Sequence, residues 1–440
     1  MGSAAGPACR RQGSAFHESP EEQVEEKRIE FLGHFRRLTA IQRNTFVACF
    51  LGWSLDAFDF FILIFCVTAI AADFHEQVSA IAEAIFLTLA MRPVGAFLFG
   101  FIADRFGRRP ALMIDIIAFS VFELATAFAP SLHIFLITRA CFGIAMGGEW
   151  GVGAALAFET LPRENRGFFS GLLQEGYVVG YLLAALLYGA LFPYIGWRGM
   201  FIVGALPAFL VIYIRAKVTE SPAWRQSRET KNTAPRRNPA KDVVTYLGSF
   251  LFLVLLMFSF NLFSHGSQDL YPTFLQKNHG FDPRTVGLIA IVYNIGALLG
   301  GILFGSWSER IGRRRAIVIA ALLAIPVIPL WAYSPTAPLL ALGGFLMQFM
   351  IQGAWGVVPA HLNELSPPAV RGTFPGLAYQ LGNLLASRAT VIQANLVEHH
   401  FGGKYAPVLA GTILIVAVMV AIVAASGKEA KGAQPLADTG

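Results

Sequence analysis

The chain has 440 residues, of which 55% are hydrophobic and only 14% charged, with a mean hydropathy of +0.56. A soluble protein of this length could not hide that much apolar surface, so a membrane protein is expected. The net charge of +6 is scattered over separate loops, which speaks against a phosphate-binding patch and against a nucleic-acid partner.

Residues 1–43 are polar, carry charges of both signs and lack the apolar core of a secretory signal. They are expected to form a cytoplasmic tail. Apolar runs of membrane-crossing length then follow one another. Six of them, at 44–72, 79–102, 110–129, 133–157, 168–191 and 198–216, make a first half over 44–216. A polar stretch at 217–242 reads as a cytoplasmic linker. Six more, at 243–275, 285–308, 315–333, 337–361, 373–397 and 405–425, make a second half over 243–425, before a cytoplasmic tail at 426–440. The predicted fold class is therefore an all-α membrane protein, with twelve transmembrane helices in two six-helix bundles. Basic clusters occupy alternate loops: RFGRR at 105–109, PRENR at 162–166, the stretch 215–241 and RIGRRR at 310–315. That bias places both termini and these loops in the cytoplasm, with a bacterial inner membrane as the expected location. Cys9, Cys49, Cys66 and Cys141 show no disulfide or metal spacing, so no cofactor or metal is expected.

The two halves repeat at an offset of about 205 residues. Gly100-x-x-x-Asp104-Arg105-x-Gly107-Arg108-Arg109 returns as Gly305-x-x-x-Glu309-Arg310-x-Gly312-Arg313-Arg314. Glu159-x-x-Pro162-x-x-x-Arg166-Gly167 returns as Glu364-x-x-Pro367-x-x-x-Arg371-Gly372. Gly148, Trp150 and Gly151 return as Gly353, Trp355 and Gly356. Two homologous halves suggest a rocking machine with its site between them. The acids and arginines of the repeated loops can bond helix ends or the other half. They form a candidate gating latch of Asp104, Arg105, Arg108, Glu159, Arg166, Glu309, Arg310, Arg313, Glu364 and Arg371; the alternative is that they only fix topology. These motifs resemble the major facilitator superfamily over about 44–425. That resemblance implies a pseudo-symmetric transporter working by alternating access. TESPAW at 219–224 resembles the segment that closes the first half in its sugar and organic-acid branches.

Ionisable residues inside a membrane are costly and mark function. Those within the spans are Asp56, Asp59, Arg92, Asp115, Glu123, Arg139, Glu149, His265, Asp269 and Arg388. Arg139 opens an RxxxG pattern suited to a structural helix contact, and Asp115 lies one turn from the basic loop and is expected to join the latch. At the repeat offset Glu149 maps to Ala354, Arg92 to Ala297 and Asp56 to Asn261, so these positions differ between halves, as a substrate or proton site would. Asp56, Asp59 and Glu149 are candidates for proton coupling.

The stretch NLFSHGSQDLYPTF, 261–274, concentrates the chemistry. Asn261, His265 and Asp269 follow at i, i+4 and i+8 and share a helix face, with Gln268 beside them. Gly266 and Pro272 weaken the helix, which is tolerated at depth only where protein or a watery cavity satisfies the backbone. Counted from Val243, His265 lies past the midplane, toward the outside. A His265–Asp269 packing clasp is the alternative, but four polar side chains with helix breakers exceed what a clasp requires. Histidine titrates near neutral pH, and a carboxyl withdrawn from water takes up a proton more readily than one in water. Arg92 and Arg388 can grip a carboxylate bidentately. Together these groups point to a small organic anion and a proton crossing the bilayer as an almost neutral load. Gln380 and Asn383, one turn apart, are candidates for cavity lining, with Gln348 and Gln352 weaker ones.

The pattern N-x-x-S-H-x-S-Q-D-x-x-x-T, from Asn261 to Thr273, resembles the signature of the lactate/pyruvate:proton permeases of fungi, within the sialate:proton symporter family. SLDAFDFF at 54–61, MRPVGAFLFG at 91–100 and GGEWGVG at 147–153 resemble that family too. The resemblance implies substrate or proton roles for Asn261, His265, Gln268 and Asp269, with Arg92 as carboxylate partner. Sialate-carrying members keep a QDLxPT-like core without the histidine, so His265 favours a small monocarboxylate such as lactate or pyruvate. A second arginine, Arg388, leaves a dicarboxylate or a larger acid open. A non-transporting sensor on the same fold is a further alternative. No GxxxxGK[ST] motif, nucleophile–base pair or metal spacing predicts an ATP-driven pump or an enzyme. A monomer is expected.

Overall fold

The computed structural model describes residue 35 and residues 38–162, 166–229, 246–366 and 374–429. Among these, ten helical runs are long and apolar enough to cross a membrane. The 47-residue run Gly171–Lys217 holds two crossings, because Gly196 adopts φ 62° inside it, a conformation that only glycine takes without strain. A broken helix near the C-terminus supplies the twelfth crossing. The crossings are α1 (Ala40–Asp73), α2 (Val78–Phe106), α3 (Arg108–Ala127) and α4 (Leu132–Thr160). Then come α5, which is Arg166–Gln174 continued by Gly176–Gly204 as far as Gly196, and α6, from there to Leu210–Lys217. In the second half, α7 is Leu247–Gln268 continued by Tyr271–Lys277, α8 is Pro283–Ile311, and α9 is Arg313–Ala324 continued by Ile328–Ala332. Last are α10 (Ala337–Leu365), α11 (Phe374–Ala386 continued by Ala389–His399) and α12 (Tyr405–Ser426).

Local chemistry sets the ends. Thr39 and Gln42 form a reciprocal capping box that starts α1. The turns from α2 to α3 and from α8 to α9 pass through Gly107 (φ 114°) and Gly312 (φ 102°), the glycines of the repeated loop. In each half an acid from beyond the last crossing then caps the helix that follows this glycine. Arg108 N donates to Glu220 Oε1 at 2.9 Å, and Arg313 N donates to Glu429 Oε1 at 2.9 Å. Glu220 belongs to the TESPAW segment, so that stretch works as a helix cap.

Within the halves α2 packs on α4, α1 on α5 and α8 on α10, while α5–α8 and α2–α11 join the halves. The repeat-related pairs α2–α4 and α8–α10 approach closely on glycine. A Cβ on Gly147 would stand 2.0 Å from the Arg92 carbonyl oxygen, and one on Gly300 2.1 Å from that of Phe349. This contact fixes the backbone on which Arg92 sits.

Arg139 shows the structural use of a buried charge. Its Nη1 donates to Glu123 Oε2 at 2.5 Å, and both side chains are fully buried between α4 and α3. The guanidinium also stacks over Phe142, 4.0 Å from the ring centroid. Arg139→Ala leaves Glu123 buried without its counter-charge, so a destabilisation of about 3–5 kcal/mol is expected. Thermal unfolding in detergent measures it, and a melting temperature within a degree or two of the native one would remove the structural assignment.

Among the described latch residues, the ion pairs of Arg108 and Arg313 lie inside their own halves. Arg108 donates to Asp104 at 2.5 Å and to Glu159 at 3.4 Å, and Glu159 also accepts from Ser221 at 2.5 Å. Arg313 pairs with Glu364 at 3.3 Å and donates to Ser308 at 2.7 Å. These pairs tie α2, α3 and α4, or α9 and α10, into rigid units. Arg105 stacks on the ring of Phe106, and Glu309 and Arg310 line a surface groove beside Trp307 and Phe349. The side chain of Arg166, and Arg371, lie outside the described residues. Asp115 departs from expectation: it is fully buried, and a Cβ on Gly148 would stand 2.4 Å from its Oδ1, so it faces α4 and not the loop. Under the alternating access that the resemblance implies, Asp104 and Arg108 would stiffen a moving unit, so Asp104→Asn is expected to slow cycling and leave the substrate profile unchanged. An altered profile in a panel of labelled acids would contradict this.

Polar contacts join the halves on the side away from the repeated loops. Gln276 of α7 donates to Tyr188 Oη at 3.0 Å and to the Phe65 carbonyl at 3.3 Å, and it bonds Thr68. Ser79 N donates to Glu398 Oε1 at 3.0 Å, and Arg284 donates to Tyr194 Oη at 2.7 Å.

Candidate functional site

Depth follows from the helix lengths. Arg92 is fourteen residues from each end of α2, and Asp56 is sixteen and seventeen from the ends of α1. Asn261 is fourteen residues after Leu247 and sixteen before Lys277. Because α7 starts at Leu247 and runs on to Lys277, the ladder begins at the middle of the crossing, and His265 lies one turn beyond it. Gln352 is fifteen and thirteen residues from the ends of α10. Four helices from both halves thus bring polar side chains to one level.

The helix of α7 breaks after Gln268, at Asp269 and Leu270, just before Pro272. The break gives Asp269 room to serve two partners. His265 Nδ1 lies 3.2 Å from Asp269 Oδ1, and Thr390 of α11 donates to Asp269 Oδ2 at 2.7 Å. Gln268 donates to Gln348 of α10 at 2.8 Å, and Gln348 in turn donates to Ser267 at 3.2 Å. Gln393 donates to the Gly266 carbonyl at 3.0 Å, so a side chain of α11 meets the weakened backbone. Asn261 donates to the Met257 carbonyl at 2.8 Å, which leaves its own carbonyl oxygen free to face the cavity.

A small cavity of about 20 Å³ opens between the halves, lined by Gln174, Tyr177, Asn261, Ser264, His265, Gln352, Trp355 and Tyr379. That is room for about one water molecule. Phe60 of α1 meets the His265 ring edge-on, with centroids 6.0 Å apart, so the first half covers the histidine directly.

Arg92 completes the level. It is 1% exposed, and its Nε and Nη2 are buried without a hydrogen-bond partner. Its guanidinium lies 5.8 Å from the Trp53 ring and 5.7 Å from that of the cavity residue Tyr379. Asp56 and Glu149 are fully buried beside it and within its electrostatic range, and both oxygens of each lack a partner. Glu149 reaches over Gly52, where a Cβ would stand 2.3 Å from its Oε1. Asp59 joins the other buried group: its Oδ1 and Glu123 Oε1 both lie about 3 Å from where a Gly204 Cβ would be. The first half therefore holds two clusters, Arg92–Asp56–Glu149 and Arg139–Glu123–Asp59, each with more carboxyls than arginines.

Three expected residues are placed differently. Arg388 does not reach the cluster. The α11 helix breaks after Ala386, so Arg388 becomes the N-cap of its second segment. There it is half-exposed, donates to Glu83 of α2 at 2.7 Å and stacks on Phe86, 4.0 Å from the ring centroid. Gln380 and Asn383 are buried with unpartnered side-chain atoms, but Tyr379 is the α11 residue that lines the cavity. Sequence reasoning missed Gln174, Tyr177, Trp355, Tyr379, Thr390 and Glu83. One signal was at hand, since Gln174 and Tyr379 stand at the repeat offset from each other and both line the cavity.

A profile of the Major Facilitator Superfamily matches residues 49–274 and 270–438. The chain belongs to that superfamily. It is an integral membrane transporter, not an enzyme. The transporter is 30% identical over 389 residues to a "Carboxylic acid transporter protein homolog" of Saccharomyces cerevisiae, a match that covers 83% of this chain and 63% of that longer protein. It is 28% identical to the sialic acid transporter NanX of Escherichia coli over 84% of this chain and 90% of NanX. Its fold superposes on the E. coli xylose transporter XylE, in a partially occluded inward open conformation, with a TM-score of 0.73 at 18% identity, covering 90% of this chain and all of that one.

Proposed function

We propose that this transporter is a proton-coupled symporter of a small monocarboxylate such as lactate or pyruvate. The observation that carries the proposal is Arg92, a buried guanidinium at the midpoint of α2 whose Nε and Nη2 have no hydrogen-bond partner, beside the inter-half cavity. Buried donors left unsatisfied on a charged group are costly, and a carboxylate arriving in the cavity would accept from them. His265 and Asp269 would hold the accompanying proton, with Thr390 and the amides of Gln268 and Gln348 fixing their orientation. Asp56, Asp59 and Glu149 are the further proton sites of the first half. Anion and proton together make the loaded carrier nearly neutral, which lowers the cost of crossing.

The name of the yeast relative, a carboxylic acid transporter homolog, supports the acid. The likeness to NanX favours a second reading, in which sialate takes the same place. Proteoliposome uptake of labelled L-lactate, pyruvate and sialate, with and without an inward acid gradient, separates the two. The account expects lactate or pyruvate to accumulate only with the gradient. Accumulation of sialate alone would transfer the site to the second reading, and accumulation of none would remove both.

The proposal includes a monomer in a bacterial inner membrane with both termini in the cytoplasm. Arg388 is reassigned within it, as part of the closure between α2 and α11. Arg388→Ala is therefore expected to leave the half-saturation constant for L-lactate within about threefold of native, since an exposed ion pair contributes little. It should also raise thiol labelling of a cysteine placed on the outer half of α11. A large loss of affinity would return Arg388 to the substrate site.

A further inference from the structure

We propose that Tyr379 is a positioning residue for Arg92, and that it ties the grip on the carboxylate to closure of the inner side. The inference rests on Arg92 being the carboxylate site.

The Arg92 guanidinium stands between two aromatic rings, and each comes from a different half. Trp53 belongs to α1 and moves with Arg92, because both are in the first bundle. Tyr379 belongs to α11 of the second bundle. Planar, weakly hydrated guanidinium groups stack well on such faces when water is kept away. With Nε and Nη2 making no hydrogen bond in the protein, these rings and the close-packed α2–α4 backbone at Gly147 help to orient the fork, beside the charges of Asp56 and Glu149.

Tyr379 is itself held by a second pair of rings. Trp150 of α4 lies 5.5 Å from it and Trp355 of α10 6.1 Å. These tryptophans occupy the same place in the two repeats, each ten residues before the inner end of its helix. Trp150 also covers Gly376, one turn before Tyr379 on α11, where a Cβ would meet the indole at 3.4 Å. The three rings fill the space on the inner side of the cavity. Opening that side must draw α11 and Tyr379 away from α2 and α4. The same movement strips Arg92 of one stacking face and lets water reach the guanidinium, which weakens its hold on a carboxylate. Affinity and gate position then change together: tight when the rings are packed, loose when they part.

The ring of Tyr379 is needed in this scheme, and its hydroxyl is not. The test uses full-length protein in proteoliposomes, counterflow of labelled L-lactate and of labelled sialate as probes, and melting temperature as a folding control. In Tyr379→Ala the half-saturation constant of the transported probe is expected to rise about tenfold, while the maximal exchange rate changes far less. Tyr379→Phe is expected to restore most of the lost affinity. Trp150→Ala, which removes the support and leaves both partners of the stack, is expected to raise the constant by a smaller factor. Native affinity in Tyr379→Ala, or a Tyr379→Phe as weak as the alanine variant, overturns the inference while Arg92 keeps its role. Arg92→Ala is run beside them: unchanged counterflow there, or counterflow of neither acid in the native protein, overturns the parent reading and this one with it.

Discussion

Arg92→Ala is expected to abolish uptake and counterflow while lowering the melting temperature less than Arg139→Ala does. The guanidinium is buried and two of its nitrogens have no partner, so its removal relieves unsatisfied donors, but it also takes the cation from beside Asp56 and Glu149. Stacking on Trp53 and Tyr379 is lost, which offsets part of that relief. Arg139→Ala is expected to cost more, because Glu123 loses a direct ion pair and is stranded. Two buried arginines, 47 positions apart in one bundle, are thus separated by the size of their effect on stability, and in the proposed function Arg92 is the one that meets the anion. Arg92→Lys keeps the charge but loses the planar fork. Hydrogen bonds to charged groups contribute about 1.5–3 kcal/mol, so the half-saturation constant should rise by roughly 10- to 150-fold. Lactate counterflow of native affinity in the lysine variant would move the anion elsewhere.

Asp269→Asn is expected to separate exchange from accumulation. The substitution is nearly isosteric and preserves an oxygen to accept from Thr390, so α7 and α11 stay joined. It takes away the carboxylate next to His265, which the proposed function makes part of the proton site. Counterflow, which needs no net proton movement, should persist within about a factor of three, while uphill accumulation driven by an acid gradient should vanish. His265→Ala should lose accumulation as well, with a larger fall in affinity because His265 lines the cavity. Accumulation surviving in both variants would shift proton coupling to Asp56, Asp59 or Glu149.

The fold was legible because its signals are local and doubled. Glycine–acid–arginine loops recur at a fixed offset, and both copies turn through a positive-φ glycine between consecutive crossings. The ladder of Asn261, His265 and Asp269 was legible for a similar reason, since i, i+4 spacing survives in any helix. Its partners were not. Thr390, Gln348 and Gln393 reach α7 from helices more than 75 positions away, and single-sequence periodicity carries no record of such pairing. Arg388 was misjudged because a helix break after Ala386 resets the face it presents. Tyr379 escaped notice among many aromatic residues, and only its distance to Arg92 and to the two repeat-related tryptophans distinguishes it. The latch residues were identified by composition, but composition does not say which bundle an arginine will bond, and Arg108 and Arg313 each bond their own.

The most direct test of the central claim is proton movement that accompanies the acid. Proteoliposomes loaded with a pH-sensitive dye and clamped at zero membrane potential receive external L-lactate or pyruvate at equal pH on both sides. The account predicts prompt acidification of the lumen in the native protein and none with Asp269→Asn, although that variant still exchanges labelled lactate. Lactate influx without acidification in the native protein, or equal acidification in Asp269→Asn, would contradict symport through this site.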